Sequence, residues 1–158
     1  MHKTTLLLPC FAAGLLFAGL LSTGTVRAQA APGPACPQLP ADAGLAWDAR
    51  ATGDSLLCRA MRADGSEAFG LYISPKPSFE PARPDRAEEG QIDGQSLYWY
   101  RAELAAQPGV EARETVVTLP DGRSAHIWLQ APNADALAPS LKLVQDLHFG
   151  PAAQVAGQ

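Results

Sequence analysis

The sequence has few of the residues that most often perform chemistry. It contains three histidines and three cysteines, with 12 basic residues against 16 acidic ones and a formal net charge of −4. The lysines and arginines are scattered and form no basic patch of the kind that nucleic acid binding needs. An H-E-x-x-H motif, a Walker loop and a dinucleotide-binding fingerprint are also missing. We therefore expect no nucleic acid partner, no metal site and no cofactor.

Residues 1–30 have the pattern of a secretory signal peptide. Lys3 supplies the positive start, an apolar stretch follows over 6–21, and Ala28-Gln29-Ala30 has the form of a cleavage site. A retained membrane anchor is the alternative, but the stretch is short for a span of about 20 apolar residues. Cleavage would remove Lys3 and Arg27 and no acid, so the rest of the chain would be more acidic. We expect a soluble periplasmic or secreted protein with no membrane span after cleavage.

Two cysteines follow the predicted signal peptide, Cys36 and Cys58. An even number of cysteines in an oxidising compartment favours one disulfide. The bond would close a loop of about 20 residues, which stabilises a fold by about 3 kcal/mol in the chain-entropy model. Free or metal-bound thiols are the alternative, but two cysteines without a Cys-x-x-Cys spacing make a weak zinc site.

A β-hairpin over 113–130 is the clearest structural pattern in the chain. Pro120-Asp121-Gly122 suits a three-residue loop that combines a type I turn with a bulge at Gly122. The turn sets a register in which Leu119 pairs with Arg123, and alternation along each strand then separates two faces. The aliphatic face carries Thr115, Val117, Leu119, Ala125, Ile127 and Leu129, and the other carries Glu114, Val116, His126 and Trp128.

A second hairpin is predicted over 55–74, around the similar turn Ala63-Asp64-Gly65. We expect Arg62 to pair with Ser66, which again separates two faces. One face would carry Leu57, Arg59, Met61, Phe69, Leu71 and Ile73, and the other Leu56, Cys58, Ala60, Gly70 and Tyr72.

Residues 75–96 contain four prolines followed by a run of charges, and we expect them to be irregular. Loops of this length are uncommon in compact domains and are often functional or mobile. The stretch is either a flexible, solvated connection or a lid. Within it, Glu88-Glu89 is interpreted as a solvated charge pair and not as an acid/base dyad.

A C-terminal helix is predicted after the hairpin over 113–130. Asn133 is a plausible N-cap, and Leu137, Leu141 and Val144 follow at helical spacing. Pro139 conflicts with this pattern because proline inside a helix removes a hydrogen bond. Either the helix begins near Pro139, or its first turn is distorted.

These elements predict one α+β domain over 31–150, in which a small, mostly antiparallel sheet of about five strands packs on the C-terminal helix. Residues 151–158 are expected to form a disordered tail. The hairpin, Ala131-Pro132, the helix and the final LVQDLHF resemble the end of domains of the Mog1/PsbP-like class. That resemblance covers only the C-terminal part of the chain. It implies an exported or organelle-lumen accessory protein and carries no catalytic residues over to this sequence.

Gly53-Asp54-Ser55-Leu56 matches the nucleophile block of the GDSL lipases and esterases. In that family a hydrophobic strand leads into the block and further catalytic blocks follow it. Here the preceding residues are WDARAT and no such blocks follow, so the match lacks its structural context. We interpret Gly53-Asp54 as a turn before the strand that contains Cys58. A small secreted hydrolase using Ser55 or His126 is kept as the alternative, and no residue is assigned a catalytic role.

The candidate binding residues are aromatic and share the second face of the predicted sheet. A wet face of an antiparallel sheet is normally polar, so an aromatic one needs an explanation. Either the N-terminal segment over 31–50, with Trp47 reaching over, and the long loop cover it, or it is a contact surface, for which rings with polar tips are well suited. The candidate residues are Tyr72, Tyr98, Tyr100, His126 and Trp128.

The leading hypothesis is a non-enzymatic exported binding or accessory domain, of inhibitor or immunity type, with an envelope protein as its partner. The predicted export, the small domain with one disulfide and the lack of a convergent catalytic set all favour it. The alternatives are the small hydrolase and a small-molecule carrier, which would need an internal cavity.

Overall fold

The structure is a computed structural model that describes residues 35–102 and 109–150. The predicted signal peptide and the predicted tail over 151–158 lie outside the described residues. In chain order the strands are β1 Ala46–Thr52, β2 Ser55–Met61, β3 Glu67–Ser74, β4 Arg86–Ile92, β5 Gln95–Arg101, β6 Glu111–Thr118 and β7 Ser124–Ala131, and the helix α1 is Ala134–Gln145. A short 3-10 helix, Arg83–Asp85, precedes β4.

The strands form one antiparallel sheet in the order β1-β2-β3-β7-β6-β5-β4, and α1 contacts β7 and β4. The predicted α+β class is confirmed. The predicted count of about five strands was too low, since the described residues form seven. Strand β4 lies inside the stretch that was expected to be irregular. It is an edge strand with a single buried residue, Ile92, so it lacks the hydrophobic alternation that marks inner strands.

The predicted register of the β6–β7 hairpin is confirmed. Thr115 pairs with Ile127 and Val117 with Ala125. The Leu119 amide donates to the Arg123 carbonyl at 2.8 Å, and Gly122 has φ +85° in the bulge position. Turn chemistry therefore set the pairing as expected.

The predicted faces of the β2–β3 hairpin were wrong because β3 contains a bulge. The turn pairing is as expected, since the Arg62 amide donates to the Ser66 carbonyl at 2.8 Å. Met61 then pairs with Glu67, but Ala60 pairs with Phe69, which leaves Ala68 as an extra residue. A shift by one residue exchanges the two faces of a strand. Leu56, Cys58 and Ala60 therefore join Phe69, Leu71 and Ile73, whereas Leu57, Arg59 and Met61 join Tyr72.

The predicted disulfide is confirmed, with the Cα atoms of Cys36 and Cys58 5.9 Å apart. Because the bulge turns Cys58 to the side of the sheet that packs on α1, the bond ties the N-terminal segment to that side. Trp47 packs there, with its ring 5.5 Å from that of Phe69 and its Nε1 donating to the Pro37 carbonyl at 2.8 Å. Trp47 was expected to reach over the aromatic candidates from the N-terminal segment, and this part of the prediction is wrong, because its ring packs on the opposite side of the sheet.

The hydrophobic core lies between the sheet and α1, on what we call the helix-side face. Apolar side chains from six strands meet the stripe of α1 there, and most are fully inaccessible to solvent. The largest are Phe69, Leu71, Ile73, Ile92, Trp99, Val117, Ile127 and Leu129, joined by Leu137, Leu141, Val144 and Leu147.

Helix α1 begins at its predicted N-cap and contains Pro139. Asn133 Oδ1 accepts a hydrogen bond from the Ala136 amide at 3.0 Å. The helix therefore does not begin near Pro139. Since proline has no N–H, the Asp135 carbonyl lacks its usual donor, but both residues are exposed and water can replace it. Within the described ranges, no helix combines the length and apolar character that crossing a membrane requires.

Candidate functional site

The five candidate residues share the face of the sheet that points away from α1, which we call the aromatic face. Tyr72 pairs with His126 across β3 and β7, and Trp128 pairs with Glu114, which also pairs with Tyr100. Tyr72, Tyr98, His126 and Trp128 are half-buried, whereas Tyr100 is only 8 % exposed.

A Pro-rich segment over 75–82, which we call the strap, contacts part of the aromatic face. Its Phe79 stacks on the imidazole of His126, with centroids 5.0 Å apart and planes 17° apart. The same ring meets Tyr100 edge-on at 5.7 Å, which explains why Tyr100 is buried. The strap is the irregular part of the stretch that was predicted to be either a connection or a lid. Since Phe79 lies far from both rings in sequence, no local pattern indicated this contact.

Trp128 is held in place on the aromatic face from two directions. Its ring lies against Gly70, where an added Cβ would come within 2.3 Å of Cζ2. Its Nε1 donates to Glu67 Oε1 at 3.1 Å, and Glu67 Oε2 accepts from Arg59 Nε at 2.7 Å. Arg59 Nη1 also lies 3.6 Å from Asp48 Oδ2. A polar chain thus connects the ring to the β1 edge of the sheet.

Tyr98 is fixed by a similar pair of contacts. Its hydroxyl donates to Glu89 Oε1 at 3.0 Å, and the Arg86 guanidinium carbon lies 4.4 Å from the ring centroid. The hydrogen bond to Glu89 and the negative charge of that carboxylate raise the pKa of Tyr98. The ring therefore presents its apolar surface while its polar tip is already bound.

The two glutamates of β4 are not the solvated charge pair that was expected. Glu88 binds the buried Arg113 through two hydrogen bonds of 2.7 and 2.9 Å. Glu89 binds Tyr98, as described above. The hydrogen bonds that Arg113 donates to Glu88 lower the pKa of Glu88 and raise the pKa of Arg113. The two carboxylates point to opposite faces of the sheet, as consecutive residues of a strand do, so each meets a different partner.

His126 lies between a carboxylate and a hydroxyl. Its Nε2 is 2.9 Å from Glu114 Oε2, and its Nδ1 is 3.3 Å from Ser78 Oγ. A carboxylate only accepts hydrogen bonds, so the Glu114 contact places the imidazole proton on Nε2. Nδ1 is then free to accept from the Ser78 hydroxyl. Ser78 was not among the predicted residues because it lies in the strap, 48 positions from His126.

Two cavities flank this contact. An open groove of about 410 Å³ is lined by Ser55, Tyr72 and residues 74–78, which include Ser78. A second cavity of about 190 Å³ is lined in part by Glu114, His126 and Trp128. Ser78 lines the groove and His126 lines the second cavity, so their contact lies between residues of the two linings.

Ser55 is placed differently from a nucleophile of the GDSL type. It is the first residue of β2 and pairs with Thr52 across the two-residue turn Gly53-Asp54, with Gly53 at φ +57°. The interpretation of the match as a turn is confirmed. Ser55 lines the groove, but the hydrogen-bond partners of His126 among the described residues are Ser78 and Glu114.

The other candidate chemistry lies apart from this face. His148 is exposed and its Nδ1 is 3.4 Å from Asp93 Oδ1. Within the part of the chain that the structure describes, no three side chains of His, Cys, Asp or Glu cluster as metal ligands would.

Comparisons of the chain with protein-family models, with curated proteins and with solved structures found no match. The likeness to the Mog1/PsbP-like class stays a prediction.

Proposed function

We propose that this chain is an exported accessory domain that binds a partner protein through its aromatic face. One observation carries the proposal: among the described residues, Tyr72, Tyr98 and Trp128 remain partly exposed on the face of the sheet opposite to α1. Aromatic rings that combine an apolar body with a polar tip are enriched at protein interfaces.

The rings are also prepared for binding. The polar atoms of Trp128 and Tyr98 are bound to Glu67 and Glu89, so neither ring needs a new hydrogen bond when its apolar surface is covered. Side chains that are fixed before association lose less conformational entropy when a partner arrives. A rigid aromatic surface of this kind suits an inhibitor or an immunity protein, whose role is tight binding.

The chemistry of the partner follows from charge. The chain has a net charge of −4, and carboxylates of Glu67, Glu89 and Glu114 lie among the rings. Charge complementarity across an interface accelerates association and excludes wrong partners. We therefore propose a cell-envelope protein that presents a basic, partly apolar surface. The predicted signal peptide, the Cys36–Cys58 disulfide and the resemblance to exported accessory domains support this location.

The test is a cross-linked pull-down of the tagged protein from its native cell envelope, read by mass spectrometry. A Tyr72→Ala, Tyr98→Ala double variant removes two exposed rings, and Lys142→Ala on α1 is the matched surface control. We expect one dominant partner with the unchanged protein and the control, weaker capture at high salt, and at least a tenfold loss with the double variant. Equal capture by all three proteins, or no reproducible partner, would exclude binding through this face.

A further inference from the structure

We infer that Ser78, His126 and Glu114 form a hydrolytic site for uncharged carboxylic esters, with Ser78 as nucleophile, His126 as general base and Glu114 as positioning residue. The hydrolytic site goes beyond the proposed binding role and does not depend on it, because it needs the contacts of these three side chains and no partner protein. It also replaces Ser55 of the sequence-based hydrolase alternative with Ser78.

The contacts run from Glu114 to His126 and from His126 to Ser78, an arrangement that can activate a serine hydroxyl. Glu114 Oε2 lies 2.9 Å from Nε2 and sets the proton there, which leaves Nδ1 as an acceptor 3.3 Å from Ser78 Oγ. Such sites consist of a nucleophile, a base and a group that orients the base. The distance between nucleophile and base is often long before substrate binds. Nδ1 faces the nucleophile and Nε2 faces the carboxylate, which is the reverse of the commonest arrangement. The chemistry is the same, because one nitrogen still accepts the serine proton while the other is bound to the carboxylate.

The surroundings of His126 hold the ring in this geometry. Phe79 stacks on one side at 5.0 Å, and Trp128 lies 5.5 Å away at a tilt of 59°. The His126 and Glu114 side chains are only 19 % and 22 % exposed, whereas Ser78 is exposed. The base is thus shielded, and the nucleophile is open to substrate.

The groove beside Ser78 indicates the substrate class. It is lined by Pro75, Pro77 and the ring of Tyr72, which favour an uncharged acyl chain, and its volume of about 410 Å³ suits a short one. Lys76 is the only cation among the lining residues, and a positive charge beside the groove favours the negative charge that develops on an acyl oxygen.

The reaction balances without a cofactor. Ser78 Oγ bonds to the ester carbonyl carbon as its proton passes to His126 Nδ1, and the carbonyl π pair moves to oxygen. When that pair returns, the bond to the alkoxide breaks, and the alkoxide takes the proton from Nδ1 and leaves as the alcohol. Water repeats both steps on the acyl-Ser78 ester, which releases the carboxylic acid and restores the hydroxyl.

The experiment mixes the purified full chain with p-nitrophenyl butyrate and follows p-nitrophenol release and acyl adducts on peptides. We expect a burst with the butyryl group on the peptide that contains Ser78. Ser78→Ala should remove the burst and lower turnover about 100-fold or more, whereas Ser96→Ala, an exposed serine on β5, should change neither. Ser55→Ala should raise KM and keep the burst, because Ser55 only lines the groove.

Glu114→Gln tests the positioning role. The amide can donate to Nε2, which moves the imidazole proton to Nδ1 and blocks proton transfer from Ser78. We expect kcat to fall about 100-fold with KM unchanged, and Glu114→Asp to restore part of kcat. Turnover that survives Ser78→Ala, adduct on another serine, or no turnover by the unchanged protein would each overturn the site. None of these results affects the partner capture, so the two proposals fail separately.

Discussion

The two faces of this sheet hold their side chains by different means. On the helix-side face, aliphatic residues such as Leu71 and Ile127 are fully buried and are fixed by contact with one another. On the aromatic face, Trp128 and Tyr98 keep part of their surface exposed and are fixed by hydrogen bonds to carboxylates. The helix-side face has one buried polar atom without a partner among the described residues, Trp99 Nε1.

The difference teaches where stability and function reside. Apolar packing stabilises a fold in proportion to the surface that it removes from water, so the helix-side face carries most of the stability. The aromatic face contributes less of it, and its rings are available for other uses. The following predictions test this division.

Adjacent residues of β3 give the largest expected contrast. Leu71→Ala should lower the free energy of unfolding by about 3 kcal/mol, because the cavity lies in a closed core. Tyr72→Ala, on the opposite face, should cost less than about 1 kcal/mol. Urea denaturation of both variants measures the two values. Equal losses of unfolding free energy in the two variants would show that the aromatic face is a second core. The proposal that it is a binding surface would then be wrong.

Two glycines give the next contrast. A Cβ at Gly90 would lie 2.9 Å from Trp99 Nε1 on the helix-side face, where the ring is fully buried and cannot move aside. Gly90→Ala should therefore cost about 2 kcal/mol. Gly70→Ala should lower the free energy of unfolding by about 1 kcal/mol. The half-exposed Trp128 can move outward to relieve the clash, and it then loses its hydrogen bond to Glu67. Thermal melts and tryptophan fluorescence measure both effects, and a larger cost at Gly70 would contradict the comparison.

The smallest contrast is between ion pairs. Arg113 lowers the pKa of Glu88 in the folded state, so this pair stabilises the fold above the pKa of an unfolded glutamate, about 4.3. The contribution is lost as pH falls below that value. Glu88→Gln should therefore lower the urea midpoint at pH 7, and the gap from the unchanged protein should narrow at pH 3.

Glu67→Gln is the matched change on the aromatic face. Its partner Arg59 is 37 % exposed, against 7 % for Arg113, so water screens the pair and the midpoint at pH 7 should move less. If the urea midpoints of Glu88→Gln and the unchanged protein differ by the same amount at pH 7 and pH 3, the Arg113–Glu88 pair is not the cause of the difference.

Turn chemistry predicted one hairpin and misled on the other. Pro120-Asp121-Gly122 determined the β6–β7 register because both strands continue without interruption. Ala63-Asp64-Gly65 set the turn equally well, but the extra residue Ala68 then exchanged the faces of β2. Nothing in the local sequence marks that residue as a bulge, since the tertiary packing of Cys58 and Phe69 selects it.

The candidate site was predictable only in part. Strand alternation indicates which of Tyr72, Tyr98, Tyr100, His126 and Trp128 share a side of their own strand, but the β3–β7 pairing that brings Tyr72 beside His126 joins distant parts of the chain. Ser78 and Phe79 meet His126 through a contact between distant parts of the chain, and their own surroundings are proline-rich and without periodicity. The same lack of pattern hid β4, which has three charged residues among its seven and only one buried residue.

The position of β7 has a consequence for how the chain is made. It lies at the centre of the sheet, between β3 and β6, yet it comes last in chain order among the described strands. Until residue 131 has emerged, β1–β3 and β4–β6 are two separate meanders, each with an open inner edge that invites pairing with other chains. A chain that stops before Ser124 would therefore expose both edges at once, so the synthesis of β7 decides whether nascent chains aggregate or fold.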